Sequence, residues 1–169
     1  MRRKIMIVFL VLILSILNYG IYNKEQIKEH GEILLLELAP IDPRSLLQGD
    51  YMNLGYFIEN DEQAKELALQ EKRGYIVIYP DENKVAQFIR FYKGESLAAG
   101  EKLLYFHKRN SSLRIVPNAF FFQEGHAKYY EDAKYGVFKF NDSAEYLLVG
   151  LADENRKTIR IAEVENDQK

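Results

Sequence analysis

Apolar and polar positions divide this chain into one long apolar block followed by a series of short ones. Ile5 to Leu14 is apolar throughout, Ser15 interrupts once, and Ile16, Leu17, Tyr19, Ile21 and Tyr22 carry the run to Asn23. No acid or base falls between Lys4 and Lys24. A bilayer core takes roughly 17 to 25 such helical residues, and Tyr19 and Tyr22 suit an interface. The block lacks the polar face of a helix buried in a soluble core. Arg2, Arg3 and Lys4 precede it. Such a basic flank stays in the cytoplasm, so the residues after Asn23 are expected across the membrane. The stretch Leu17-Asn18-Tyr19-Gly20-Ile21-Tyr22 holds no Ala-x-Ala-like site, which favours an uncleaved anchor over a cleavable signal peptide.

The short blocks read as strands and helices. Asn23 to Gly31 is polar and continues the anchor helix for a turn or two until Gly31 stops it. Glu32 to Leu38 is a first strand, ended by Pro40 and Pro43, which cannot donate to a ladder. Met52 to Ile58 is a second. Asn60 or Asp61 caps a helix over Glu62 to Arg73, with Ala64, Leu67 and Ala68 at helical spacing and Gly74 as its stop. Tyr75 to Tyr79 and Val85 to Tyr92 form a hairpin about Pro80-Asp81-Glu82-Asn83. A second helix is expected in Gly125 to Tyr135. Val137 to Phe140 and Tyr146 to Leu151 form a second hairpin about Asn141-Asp142-Ser143. Between the two halves, Leu113 to Gln123 supplies an added strand around Phe120-Phe121-Phe122, expected to be core on both faces.

The order repeats. Ser45-Leu46-Leu47-Gln48-Gly49-Asp50 with Leu54 and Tyr56 is echoed by Ser96-Leu97-Ala98-Ala99-Gly100-Glu101 with Leu104 and Phe106, and a helix and hairpin follow each. A fixed-order repeat implies units that bury their apolar faces against one another. Turn and helix-stop chemistry alone would reproduce much of the echo. The fold class is therefore α+β: an N-terminal transmembrane helix, then a compact, mostly antiparallel β domain with two helices, open to being a pseudo-duplicated strand-helix-hairpin unit. The organisation is 1–22 basic start and anchor, 23–31 juxtamembrane linker, 32–164 extracytoplasmic domain, 165–169 polar tail.

Charge and cysteine usage narrow the function classes. The 23 bases less Arg2, Arg3 and Lys4 stand against 25 acids, which leaves the exported part near −5; a nucleic-acid footprint would be basic and clustered. With no Cys, disulfides, thiolate metal sites, a Cys nucleophile and a lipid-modified N-terminal Cys are excluded.

One stretch is complete as a motif. Gly49-Asp50-Tyr51-Met52-Asn53-Leu54-Gly55-Tyr56, preceded by Pro40-Ile41-Asp42-Pro43-Arg44, resembles the GDYXXLXY family at Gly49, Asp50, Tyr51, Leu54 and Tyr56. Phe121-Phe122-Gln123-Glu124-Gly125, Tyr129 or Tyr130, Ala133, Tyr135-Gly136 and Leu147-Leu148-Val149-Gly150-Leu151 are similar to that family's later segments. The resemblance implies bacterial proteins with an N-terminal membrane segment and no assigned activity, found alongside multi-pass membrane proteins. It carries over no catalytic residue and no cofactor.

The candidate binding residues are Asp42, Arg44, Asp50, Tyr51, Tyr56 and Glu124. Asp42, Arg44 and Asp50 put two carboxylates and a guanidinium in one tight loop, where a fork-shaped Arg can hold a carboxylate or loop carbonyls. An internal turn brace outweighs a ligand site there, because Asp so often satisfies turn backbone. Glu124 and His126 flank Gly125 with Glu131 and Asp132 nearby, yet the spacing matches no zinc motif, and no metal or cofactor is expected. Tyr129, Tyr130 and Tyr135 read as packing residues with a wet hydroxyl. An outward-facing Ser-Lys hydrolase resembling type I signal peptidases would use Ser45 with Lys93, but no Ser-Met pair and no Pro-Thr-Leu follow Ser45, and the serine stands only four residues before Gly49. A small-ligand sensor would require a pocket with convergent polar groups beside the Asp42 to Asp50 loop. The leading expectation is a membrane-anchored extracytoplasmic binding or accessory domain, partnered by a multi-pass membrane protein, without catalysis.

Overall fold

The computed structural model describes residues 2–39, 51–62, 66, 71–109, 112–142 and 144–161. The apolar block is a single helix, α1 (Arg2–His30), about 44 Å long at 1.5 Å per residue. Its polar side chains are satisfied internally: the Ser15 hydroxyl donates to the Val11 carbonyl and the Asn18 amide to that of Leu14, each at 2.8 Å. That spares two polar groups from facing hydrocarbon unpaired. The segment expected to link anchor and domain is itself helical, and Gly31 stops it as its N–H donates to the Ile27 carbonyl at 2.9 Å.

Among the described residues nine strands follow: β1 (Glu32–Glu37), β2 (Tyr51–Asn53), β3 (Arg73–Pro80), β4 (Ala86–Phe91), β5 (Lys102–Arg109), β6 (Ser112–Ile115), β7 (Ala119–Phe121), β8 (Tyr135–Phe140) and β9 (Tyr146–Ala152). They form an antiparallel sheet in the order β1-β8-β9, another in the order β4-β3-β5-β6, and the ribbon β2-β7. The α+β class with a leading apolar helix and antiparallel strands is what the sequence pattern implies.

Both hairpins use the same turn. The Asp81 carboxylate accepts from the Val85 N–H at 2.9 Å and the Asn141 side-chain oxygen from that of Glu145 at 2.9 Å, while Lys84 and Ala144, three residues on from Asp81 and Asn141, both sit at φ 61°. Asp153 repeats the arrangement with Lys157, and Arg156 at φ 64°. The short Asp or Asn side chain replaces a backbone acceptor, which is why these residues initiate turns. Each hairpin also carries a register shift at the same distance from its turn, between Val77 and Ile78 and between Val137 and Phe138.

The repeat lies in these hairpins and in the strand added to each. β5 pairs with β3 through Val77↔Leu103, and β1 pairs with β8 through Val137↔Leu35. Each hairpin thus takes its third strand from the other half of the chain. The proposed equivalence of the Gly49 and Gly100 segments does not extend to their strands: β2 has three residues and pairs with β7, whereas β5 has eight and pairs with β3 and β6. The two units meet where the Leu35 N–H donates to the Lys84 carbonyl at 2.8 Å and where the Tyr105 N–H donates to the Tyr146 hydroxyl at 3.0 Å. Leu34, Leu36, Ile76, Ile78, Leu104, Phe106, Phe138 and Phe140 fill the core between them.

Several elements differ from the sequence expectation. The second strand stops at Asn53 instead of Ile58, because the chain changes partners: the Leu54 N–H donates to the Asn118 carbonyl, Gly55 accepts from the Ala39 N–H, and Tyr56 bridges to Leu38. It then closes into a 3-10 turn at Phe57–Asn60. Of the helix over Glu62 to Arg73, Glu62 and Glu66 are helical and residues 63–65 and 67–70 lie outside the described residues. The helix has ended by Glu71, and Gly74 is not its stop but a strand residue opposite Phe106. The second helix is a single 3-10 turn, Ala127–Tyr130. The added strand is two, β6 and β7, separated at Val116-Pro117. Phe120 and Phe122 pack on Tyr130 at 5.1 and 5.7 Å, but Phe121 is 74 % exposed, since its ribbon has one open face.

Candidate functional site

Asp42, Arg44, Ser45, Gly49 and Asp50 lie outside the described residues. The second half of the motif is described, and its three named side chains go to different places. Tyr51 is exposed on β2 with its ring 5.7 Å from that of Phe121 on β7. Leu54 is buried in the core. Tyr56 is fully buried, stacked edge-on against Phe138 at 5.8 Å, and its hydroxyl donates to the Pro117 carbonyl at 2.7 Å.

Tyr146 acts beside it on the preceding carbonyl, donating to Val116 at 2.6 Å. Two phenols from opposite halves of the chain thus hold consecutive carbonyls of the β6 to β7 connection. Burial pushes the Tyr56 hydroxyl well above its ordinary pKa and that of Tyr146 up to about 12. Both stay protonated at neutral pH and serve as hydrogen-bond donors rather than bases.

Three residues beyond Tyr56 stands the buried acid Glu59. Its carboxylate accepts from the Ile115 N–H at 2.8 Å and from the Arg114 guanidinium at 3.0 Å. Loss of hydration raises its pKa, while those two partners act in the opposite direction. Nothing in the sequence singled out Glu59; its partners are more than fifty residues away, and only its place after two apolar residues sets it apart. Tyr56 and Glu59 together fasten the end of the motif to β6 and to the loop that follows it.

A hollow of about 180 Å³ opens next to this segment, lined by Glu37, Phe57, Asn60, Asp61, Gln87 and Phe88 among others. It lies where β1 and β4 part after their single bridge at Leu35 and Val85. Polar groups converge there, but the volume falls below the roughly 300 Å³ at which small-molecule pockets begin.

Glu124 is exposed in the turn before Ala127–Tyr130. The neighbouring His126 has its Nδ1 buried with no hydrogen-bond partner among the described residues. Lys93 is exposed, and its N–H donates to the Glu95 carboxylate at 2.8 Å.

The architecture is that of a β domain carried on a long apolar helix, with a motif whose described half works mainly as internal bracing. Residues 13–151 match the family described as GDYXXLXY protein, which is most of the chain, and the chain belongs to that family. Comparison with curated proteins and with solved structures gives no match.

Proposed function

We propose that this chain is a single-pass, membrane-anchored extracytoplasmic binding or accessory domain that acts with a second, multi-pass membrane protein in the cell envelope. The observation that carries the reading is the packed junction between helix and domain. Ile27 is buried against the domain, and the Lys139 ammonium donates to the Lys28 and Glu29 carbonyls at 2.5 and 3.3 Å. A cation on the last carbonyls of a helix is favourably placed against its dipole. Lys24 adds a contact to Glu145 at 3.9 Å. A domain held in this way keeps a fixed height and orientation over the membrane, which suits docking on a neighbour in the same bilayer better than free capture of a soluble molecule. The basic residues before the apolar block support a cytoplasmic N-terminus.

The chain has no native Cys, so single-Cys variants report topology directly. Asp142→Cys, on a fully exposed turn, should react with a membrane-impermeant maleimide in intact cells; labelling only after lysis would reverse the orientation. Crosslinking in intact membranes should then recover a multi-pass protein, and recovery of none would remove the accessory role.

A further inference from the structure

Two short basic runs, Lys72-Arg73 and His107-Lys108-Arg109, are distant in the chain and are set side by side by the β3 and β5 ladder. Arg73 stands directly opposite His107, His107 stands opposite Arg114, and the Lys108 N–H donates to the Lys72 carbonyl at 2.8 Å. Residues in direct register share a face, so Arg73, His107 and Arg114 form a row across three strands spaced roughly 4.8 Å apart. Arg109, two residues beyond His107, belongs to the same face.

Like charges placed opposite each other destabilise a sheet. Arg114 is compensated by Glu59 at 3.0 Å, but among the described residues Arg73, His107 and Arg109 have no ion-pair partner. The exported part of the chain is acidic as a whole, so this concentration of bases runs against its average charge.

The face continues into aromatic surface. Tyr75 lies opposite Tyr105 with ring centroids 5.3 Å apart, and Tyr75 is substantially exposed. Both rings stand on the same face as Arg73 and His107, while Gly74 and Phe106 between them point to the core side.

The patch is remote from the helix exit. Lys102, at the other end of β5, is 3.0 Å from Glu32, which follows Gly31 directly. Arg109 is seven residues further along the strand, about 23 Å away at 3.3 Å per residue. Headgroups around the protein's own anchor are therefore poorly placed to neutralise it. An inorganic polyanion would answer the charge and leave the Tyr75 and Tyr105 rings unused, whereas a peptide offers carboxylates and an apolar side chain together.

We propose that the face of Arg73, His107 and Arg109, with the Tyr75 and Tyr105 rings beside it, docks an acidic peptide segment of a partner protein, its carboxylates on Arg73 and Arg109 and one apolar or aromatic side chain against the two rings. This rests on the reading of the domain as a binding module and specifies the chemistry of its partner.

The test uses the full chain in uncharged detergent micelles and a fluorescent Glu-rich peptide with one central Phe, followed by anisotropy. Saturable binding at low salt is expected, weakened about tenfold or more by raising the ionic strength to 0.5 M, as exposed charge pairs are. The double substitution Arg73→Ser, Arg109→Ser should weaken it by a similar factor with an unchanged melting curve, and Tyr75→Ser should weaken it to a smaller extent. Replacing the peptide's Phe by Ser should also reduce affinity. Absence of binding at low salt, equal binding to the Ser variants, or tighter binding of long-chain polyphosphate than of the peptide overturns the proposal. If a membrane partner crosslinks equally to wild type and to the double Ser variant, this surface is wrong and the binding-domain reading survives. If the peptide binds as described but no membrane partner is recovered, the surface stands and the accessory role fails.

Discussion

The Tyr56 hydroxyl donates to the Pro117 carbonyl at 2.7 Å, joining the last residue of the family motif to a loop sixty-one residues further along. The bond is part-buried and the Tyr56 ring is fully buried, so removing the donor takes away the carbonyl's partner on the protein side. Tyr56→Phe should cost about 1 to 3 kcal/mol, the range for a buried group left without its partner. Chemical denaturation of the purified chain measures it. Tyr56→Ala, which also empties a fully buried ring site, should cost about 3 to 5 kcal/mol. Equal stability of wild type and Tyr56→Phe would mean the bond is replaceable by water.

Glu59 makes a prediction with a definite sign. Its folded-state pKa is raised above the ordinary 4.5, chiefly by burial. Relative to an unperturbed glutamate, its contribution is fully present below that ordinary value and is lost as pH rises through the folded pKa. Glu59→Gln keeps an acceptor for the Ile115 N–H, so the variant should gain on the wild type as pH rises from 4.5 toward neutrality. Glu59→Leu, which strands both the Ile115 N–H and Arg114, should be about 2 to 3 kcal/mol less stable than Glu59→Gln at all pH values. Melting curves across that pH range separate the two variants.

Glu101 behaves in the opposite sense. It is held by Arg90 in a two-point pair and accepts from the Ala98 N–H at 2.8 Å, which brings its carboxyl down to about 2. A depressed pKa contributes stability above the ordinary value of 4.5 that disappears as pH falls toward 2. The difference in stability between wild type and Glu101→Gln should therefore shrink over that interval. A difference that stays constant down to pH 2 would show that the pair with Arg90 is not what the protein loses on acidification.

Gly31 permits the close approach of helix and sheet. A Cβ at this position would lie 2.4 Å from the Ile27 carbonyl oxygen and 3.0 Å from Lys139 Cβ. Backbone must shift to admit it, so Gly31→Ala should loosen the junction, at a cost of about 1 to 3 kcal/mol. Hydrogen exchange at residues 28 to 33 should rise while exchange in β3 and β5 remains as before. Unchanged exchange at the junction would argue against a rigid stalk.

The turns show how far local chemistry reaches. Asp81 and Asn141 were legible as turn residues because the side chain that fixes each turn sits at its first position and bonds within four residues. Helix limits were not legible in this way. Gly74 has the composition of a helix stop but is drawn into β3 by pairing with Phe106, and Gly125 to Tyr135 has room for only one turn before β8 begins. Of the two echoed strands, the one after Gly100 is β5 and completes its hairpin, whereas the counterpart of β5 in the other hairpin is β1 and not the strand after Gly49. Of the candidate residues, Tyr56 turned out to face the core and Tyr51 the surface, a distinction that two tyrosines in one motif do not carry in their spacing.

The sequence by itself determined the apolar helix, the two hairpins and membership of the family, because each depends on residues close together in the chain. The tertiary structure alone decided that Tyr56 and Tyr146 hold neighbouring carbonyls, that Glu59 is buried against Arg114, and that Lys72-Arg73 meets His107-Lys108-Arg109. Those relations join residues tens of positions apart. Their energies come from burial and strand register, which no local pattern of residues encodes.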